Sequence, residues 1–142
     1  MLKKKENYLK MKAAIYIRVS TNGQVNYGNG LQLQKEHGLK VIENNGWTLY
    51  KIYGNEKAGV SGHLSVRERP EFMEMIDDGK SGKFDIVIIY YLDRLGRSVK
   101  VIDEARNIIY EANLKLYMHD TFIEKTGMTD IFFRGLAEYI SQ

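Results

Sequence analysis

The stretch Asp85-Ile86-Val87-Ile88-Ile89-Tyr90-Tyr91, running straight into Leu92-Asp93-Arg94-Leu95-Gly96-Arg97-Ser98, decides the fold. A continuous apolar and aromatic run of strand length, without polar alternation, reads as a central strand covered on both faces, the usual condition of strands in a parallel sheet. The polar turn then places two arginines and a carboxylate at the carboxyl end of that strand. Upstream, Ala13 to Val19 is a second short apolar run, rich in β-branched residues and flanked by Lys12 and the polar segment Ser20 to Gly30. It forms the first strand, and Trp47 to Tyr53 and Leu114 to Met118 supply two more.

Helices fall between these strands. One is expected from Leu31 to Asn45, with Leu31, Gly38, Leu39 and Ile42 near one face and Asn44-Asn45-Gly46 as its stop signal. Arg69-Pro70-Glu71-Phe72 opens another with proline in its first turn, and Phe72, Met75, Ile76 and Gly79 form its inward stripe. Val101, Ile102, Ala105, Ile108, Ile109 and Ala112 mark a third, ended by Asn113, and Thr126 or Thr129 caps a last one through Ile131, Phe132, Gly135, Leu136 and Tyr139. Gly54 to Glu68 shows no periodicity and is a long loop of the kind that is usually functional or mobile. The alternation predicts an α/β fold: an open, mostly parallel sheet of four to five strands with helices on both faces and right-handed crossovers. Such sheets bind ligands beyond the carboxyl ends of their strands, where both arginine-bearing turns lie.

The chain has 142 residues, 44% of them hydrophobic and 27% charged, which is one ordinary domain with a core of its own. It contains no cysteine, so disulfides and thiolate metal sites are excluded, in keeping with a reducing cytoplasmic setting. No apolar run reaches the roughly 18 residues of a membrane span, and the basic start lacks the apolar region of a signal peptide. The net charge of +3 is misleading: Lys3, Lys4, Lys5, Lys10 and Lys12 against Glu6 give residues 1–12 a charge of +4, leaving the rest at −1. That leader is expected to be frayed, and any argument for a nucleic-acid partner must rest on where particular arginines sit.

Tyr16-Ile17-Arg18-Val19-Ser20-Thr21, with Gln24 beyond, sets a hydroxyl two residues after a guanidinium where a strand breaks into a loop. Alternate residues of a strand share a face, so Arg18 and Ser20 point toward the same ligand. Seryl attack on a phosphodiester needs an accessible hydroxyl, neutralisation of the phosphate, donors for its non-bridging oxygens, and proton transfers at two ester oxygens. Arginine suits the middle tasks because its planar fork pairs bidentately with phosphate and keeps its charge. Arg18, Arg69, Arg94 and Arg97 are the candidates. The bland alternative is an arginine paired with a surface carboxylate and a serine that only begins a turn.

Taken together, Tyr16-Ile17-Arg18-Val19-Ser20-Thr21 with Gln24, Ser61-Gly62 followed by Arg69-Pro70, and Leu92-Asp93-Arg94-Leu95-Gly96-Arg97-Ser98 resemble the catalytic domain of serine site-specific recombinases. The resemblance covers nearly everything beyond Lys12. The Arg-Pro-Glu-Phe element and the insertion between Ser20 and Gln34 are more like the large integrases and transposases than the compact resolvases and invertases. It implies a resolvase-like catalytic domain over 13–142, cut off in its last helix before a dimerisation helix and a DNA-binding region. Ser20 would be the nucleophile, leaving a 5′-phosphoseryl link and a free 3′-hydroxyl without metal or other cofactor. Arg18, Arg69, Arg94 and Arg97 match the family's active-site arginines, Asp93 its motif carboxylate, and Tyr16, Gln24 and Gln34 its supporting polar residues. Asp93 either handles protons or holds an arginine, and Glu56 takes the loop carboxylate role with Asn55 as rival.

Double-stranded DNA is the implied partner, bound weakly by this stretch alone, with dimers and tetramers formed by the full-length protein and recombination nothing measurable without it. The competing reading is a non-catalytic interaction or regulatory module descended from a mobile-element recombinase; a third is a sheet domain binding a small phosphorylated ligand. His37, His63 and His119 are scattered and lack ligand spacing, and Gly79-Lys80-Ser81-Gly82 falls short of a phosphate-binding loop.

Overall fold

The computed structural model describes residues 11–18, 29–54 and 65–125, together with Gly135 and Tyr139, which are helical. Its strands are β1 (Lys12–Tyr16), β2 (Thr48–Tyr53), β3 (Ile86–Ile88), β4 (Lys115–Met118) and β5 (Thr121–Ile123). The helices with bounds among the described residues are α1 (Asn29–Asn45), α2 (Pro70–Lys80) and α3 (Val99–Glu111), and short 3-10 turns occupy Val66–Glu68 and Leu92–Arg94. The sheet order is β2-β1-β3-β4-β5, parallel except for the antiparallel β4–β5 pair. This is the expected α/β architecture, with β1 and β3 adjacent at its centre.

Alternation along the central strands divides the core into two layers. Ala14, Tyr16, Val87, Ile89 and Leu116 pack with Phe72, Met75 and Ile76 of α2 and Ile102, Ala105 and Ile109 of α3. Ala13, Ile15, Ile17, Ile86 and Ile88 pack with Val41 and Ile42 of α1 and with Trp47. Helices on both faces are why β3 carries apolar residues at every position, all of them buried. The stripe expected on α2 is buried at all four positions, Phe72, Met75, Ile76 and Gly79. Pro70 at its first turn costs no hydrogen bond and biases Arg69 toward its extended conformation, φ −101° and ψ 105°. Ser98 caps α3 by accepting from the Val101 amide.

Several boundaries and one helix face differ from expectation. The first strand ends at Tyr16, although the Ile17 amide still donates to the Tyr53 carbonyl at 3.0 Å. The third strand keeps only three ladder residues because its neighbours stop pairing there. Helix α1 begins two residues before Leu31, and Leu39 is 42% exposed; the buried positions are Gln34, Gly38, Val41 and Ile42. A polar residue in the inward stripe had shifted the apparent apolar face. In β2 the register slips between Ala13 and Ala14, skipping Tyr50, so its alternation is broken by a bulge. The fifth strand, not located in the sequence, follows a tight hairpin in which His119 and Asp120 both have positive φ, 51° and 59°, without the glycine that usually marks such a turn. Gly46, with φ 71°, ends α1 as expected. Most of the last expected helix, including its caps, lies outside the described residues. Among those described, no helix is long and apolar enough to cross a membrane.

Candidate active site

The carboxyl ends of β1 and β3 meet through two arginines from opposite halves of the chain. Arg94 Nη1 donates to the Arg18 carbonyl at 2.8 Å, while Arg18 Nε donates to the Arg94 carbonyl at 3.2 Å and Arg18 Nη2 to the Asp93 carbonyl. Each guanidinium thus holds the other's backbone. Their strands are hydrogen-bonded neighbours, so a pair separated by 76 positions in sequence becomes adjacent.

Gln34 fixes this clasp from the α1 side. Its side-chain oxygen accepts from the Arg18 amide at 3.0 Å, and its side-chain nitrogen donates to the Arg18 carbonyl at 3.1 Å and to the Gly30 carbonyl at 3.0 Å. The amide stands in for a neighbouring strand just where the ladder has ended, pairing the Arg18 N–H that burial would otherwise orphan. On the other side Gly54, with φ +90°, brings β2 so close that a Cβ there would lie 2.0 Å from the Ile17 carbonyl oxygen. Only glycine fits that approach.

Arg69 enters from the start of α2. It is 1% exposed, donates through Nη1 to the Leu95 carbonyl at 2.7 Å, and hydrogen-bonds the Tyr16 side chain. Arg67, two residues earlier, is exposed. Burial raises the Tyr16 phenol above its ordinary value of 10.0, against the pull of the Arg69 and Arg18 cations. Arg18 is lowered to about 10 by burial and by the neighbouring charges of Arg69 and Arg94. Tyr16, Arg18, Gly54, Arg69 and Glu71 line one small hollow.

Asp93 Oδ1 lies 3.2 Å from Arg94 Nε, an ion contact whose alignment falls short of a hydrogen bond. Arg97 is exposed. The structure therefore brings together Tyr16, Arg18, Gln34, Arg69, Asp93 and Arg94. Ser20, Gln24 and Glu56 lie outside the described residues, as does His63. Gly54 and Glu71 join the site without a motif to mark them; a lone glycine just after a strand is the one signal in the sequence for the first. Of the histidines that lack ligand spacing in the sequence, His37 packs edge-on against Tyr90 and His119 against Tyr91, each at 5.1 Å between ring centroids. Among the described residues no group of three or more His, Asp or Glu side chains is arranged to hold a metal ion.

The arrangement can hold an anion against several guanidinium groups at the end of a parallel sheet. Residues 13–142 match the family model described as "Resolvase, N terminal domain". The transposon Tn917 resolvase of Enterococcus faecalis is 30% identical over 123 residues, spanning 86% of this chain and 57% of the resolvase. The crystal structure of the N-terminal catalytic domain of TP901-1 integrase superposes with a TM-score of 0.67 at 28% identity, covering 89% of this chain and 90% of that one. A resolvase-family site-specific recombinase from Streptococcus pneumoniae gives 0.69 at 26% identity, covering 90% and 86%.

Proposed function

From the premise that the chain belongs to the resolvase N-terminal-domain family of serine recombinases, we propose that it breaks and rejoins DNA strands in site-specific recombination. The observation that carries the proposal is the reciprocal Arg18–Arg94 clasp with Arg69 buried beside it. Ser20 follows Arg18 by two residues in the sequence. Its oxygen attacks the phosphorus and the bond from phosphorus to the 3′ oxygen breaks. The phosphoryl group stays on serine as a 5′-phosphoseryl ester, the 3′ oxygen takes a proton, and the serine proton leaves. A 3′-hydroxyl from an exchanged strand reverses the attack and releases the serine. One ester replaces another, so the sequence of steps draws on no high-energy cofactor.

Arg18, Arg94 and Arg69 neutralise the phosphate and stabilise charge on its non-bridging oxygens, with Arg97 reaching in from the exposed end of the turn. Asp93, 3.2 Å from Arg94 Nε, holds that arginine in place. Tyr16 and Gln34 position Arg69 and Arg18 respectively, and Gln24 and Glu56 support the same centre. The chain spans 57% of the length of the curated resolvase it matches. Residues 1–142 alone are expected to bind DNA weakly and to recombine nothing measurable.

The test is covalent capture. The complete protein is incubated with a nicked suicide site, and a DNA adduct is sought and mapped by peptide mass. Attachment at Ser20, lost in Ser20→Ala, supports the reading. A complete protein that yields no more adduct than Ser20→Ala sinks it and leaves a non-catalytic module.

A further inference from the structure

Glu104 belongs to neither arginine turn, but its carboxylate reaches the chain just before one of the site's arginines. Oε1 accepts from the Val66 amide at 3.1 Å and from the Ser65 hydroxyl. The Ser65 oxygen in turn accepts from the Arg67 amide at 3.3 Å. One carboxylate oxygen and one hydroxyl thus satisfy the leading amides of the Val66–Glu68 turn, as a cap does for a longer helix. The Arg69 amide closes that turn on the Val66 carbonyl at 3.0 Å, and the Arg69 carbonyl starts α2 by accepting from Met73 at 3.1 Å.

The backbone of Arg69 is therefore set from Glu104, and its guanidinium from the Leu95 carbonyl at 2.7 Å. Both anchors lie in one continuous piece of chain, the Leu92–Arg94 turn and the helix that follows it. That piece also carries Arg94, whose guanidinium holds Arg18. We infer that Glu104 is a positioning residue that keeps Arg69 in register with Arg94 and Arg18 by capping the turn ahead of Arg69. Resting on the proposed recombinase reading for its consequence, it extends the working unit well into α3. Glu104 touches no reacting atom; it acts through Arg69.

The experiment compares Glu104→Ala and Glu104→Gln in the complete protein, since glutamine keeps the acceptor oxygen. Two readouts are taken: the rate of covalent adduct formation on the suicide site, and hydrogen exchange at the Val66 amide and the Arg69 guanidinium, with the Leu116 amide as a distant control. Glu104→Ala is expected to slow adduct formation about 10- to 100-fold, in line with the cost of a roughly 1 Å misplacement. It should speed exchange at Val66 and Arg69 by about tenfold or more while Leu116 is unchanged, and Glu104→Gln should restore both to within about threefold. The inference is overturned if Val66 and Arg69 exchange at the wild-type rate in Glu104→Ala, if Leu116 loosens equally, or if Glu104→Gln is as impaired as Glu104→Ala. Exchange does not depend on catalysis. A wild-type protein without adduct would defeat the recombinase reading, whereas unchanged exchange would defeat the role of Glu104.

Discussion

Arg69 and Arg106 are buried alike, at 1% and 2% exposure, but they serve different ends of the molecule. Arg106 on α3 meets Asp103 at 3.1 Å, donates to the Lys125 carbonyl at 3.4 Å and lies over the Tyr110 ring at 5.8 Å. It braces the exit of β5 and is neutralised within the fold. Arg69 instead shares its surroundings with Arg18 and Arg94, and the crowding is enough to lower Arg18 to about 10. Like charges gathered in a buried place cost stability. Under the proposed reading a phosphate entering that edge offsets the crowding, whereas Arg106 meets its carboxylate, Asp103, within its own helix.

The largest effect should separate the two regions. Arg94→Ala removes a guanidinium of the proposed centre; it loses the bond to the Arg18 carbonyl and the half-exposed contact with Asp93 but relieves a like-charge contact with Arg18, so adduct formation should fall about 100- to 1000-fold while stability changes by no more than about 1 kcal/mol. Arg106→Ala leaves Asp103 without its cation and should cost about 3 kcal/mol of stability, with adduct formation by the remaining folded protein near normal. The contrast breaks if Arg94→Ala unfolds the protein or if Arg106→Ala abolishes the adduct below its unfolding transition.

A smaller effect sharpens how the cationic edge is held. Gln34→Leu keeps the bulk but removes the acceptor and donor that satisfy the Arg18 backbone, 3.0 and 3.1 Å away. The carbonyl keeps Arg94 as a donor, but leaving the buried Arg18 amide unpaired should cost about 1–3 kcal/mol, measured by denaturant unfolding. A variant as stable as the parent would show that the Arg18 backbone finds other partners.

Much of this was legible in the chain because the signals were local. The unbroken apolar run at Ile86–Ile89, the proline before Phe72 and the stripe Phe72, Met75, Ile76 and Gly79 each report burial by residues close in sequence. Convergence of Arg18 and Arg94 followed from parallel topology, since strands covered on both faces must present their carboxyl ends together. What escaped reading depends on distant geometry. Gln34 is picked out by the family resemblance alone; by periodicity it is a polar interruption of α1 until the backbone it clamps is known. Glu104 looks like a solvated helix residue, because the turn it caps comes 38 positions earlier. The β4–β5 hairpin hides behind His119 and Asp120, whose positive φ no glycine announces. Ser20, the nucleophile of the proposed reaction, is legible by motif and lies outside the described residues.

The smallest effect compares two buried tyrosines at high pH. Tyr53 is raised by burial and then by its hydrogen bond to Asp78, 2.6 Å away, and by that carboxylate's charge. Tyr16 is raised by burial but pulled back by Arg69 and Arg18. In both cases the folded chain keeps phenol protons that the unfolded chain releases above about pH 10, so the native state binds more protons there and its stability must fall as pH rises. The contribution is fully present below that pH and lost through the folded values. Tyr53→Phe should therefore flatten the decline of the urea midpoint between pH 9.5 and 11, about the range where an ordinary phenol ionises. Tyr16→Phe should flatten it less, because the arginines that would grip a phosphate already favour the phenolate. Equal flattening by the two substitutions would mean that the cationic edge exerts no field at Tyr16, and the electrostatic half of the contrast between Arg69 and Arg106 would go with it.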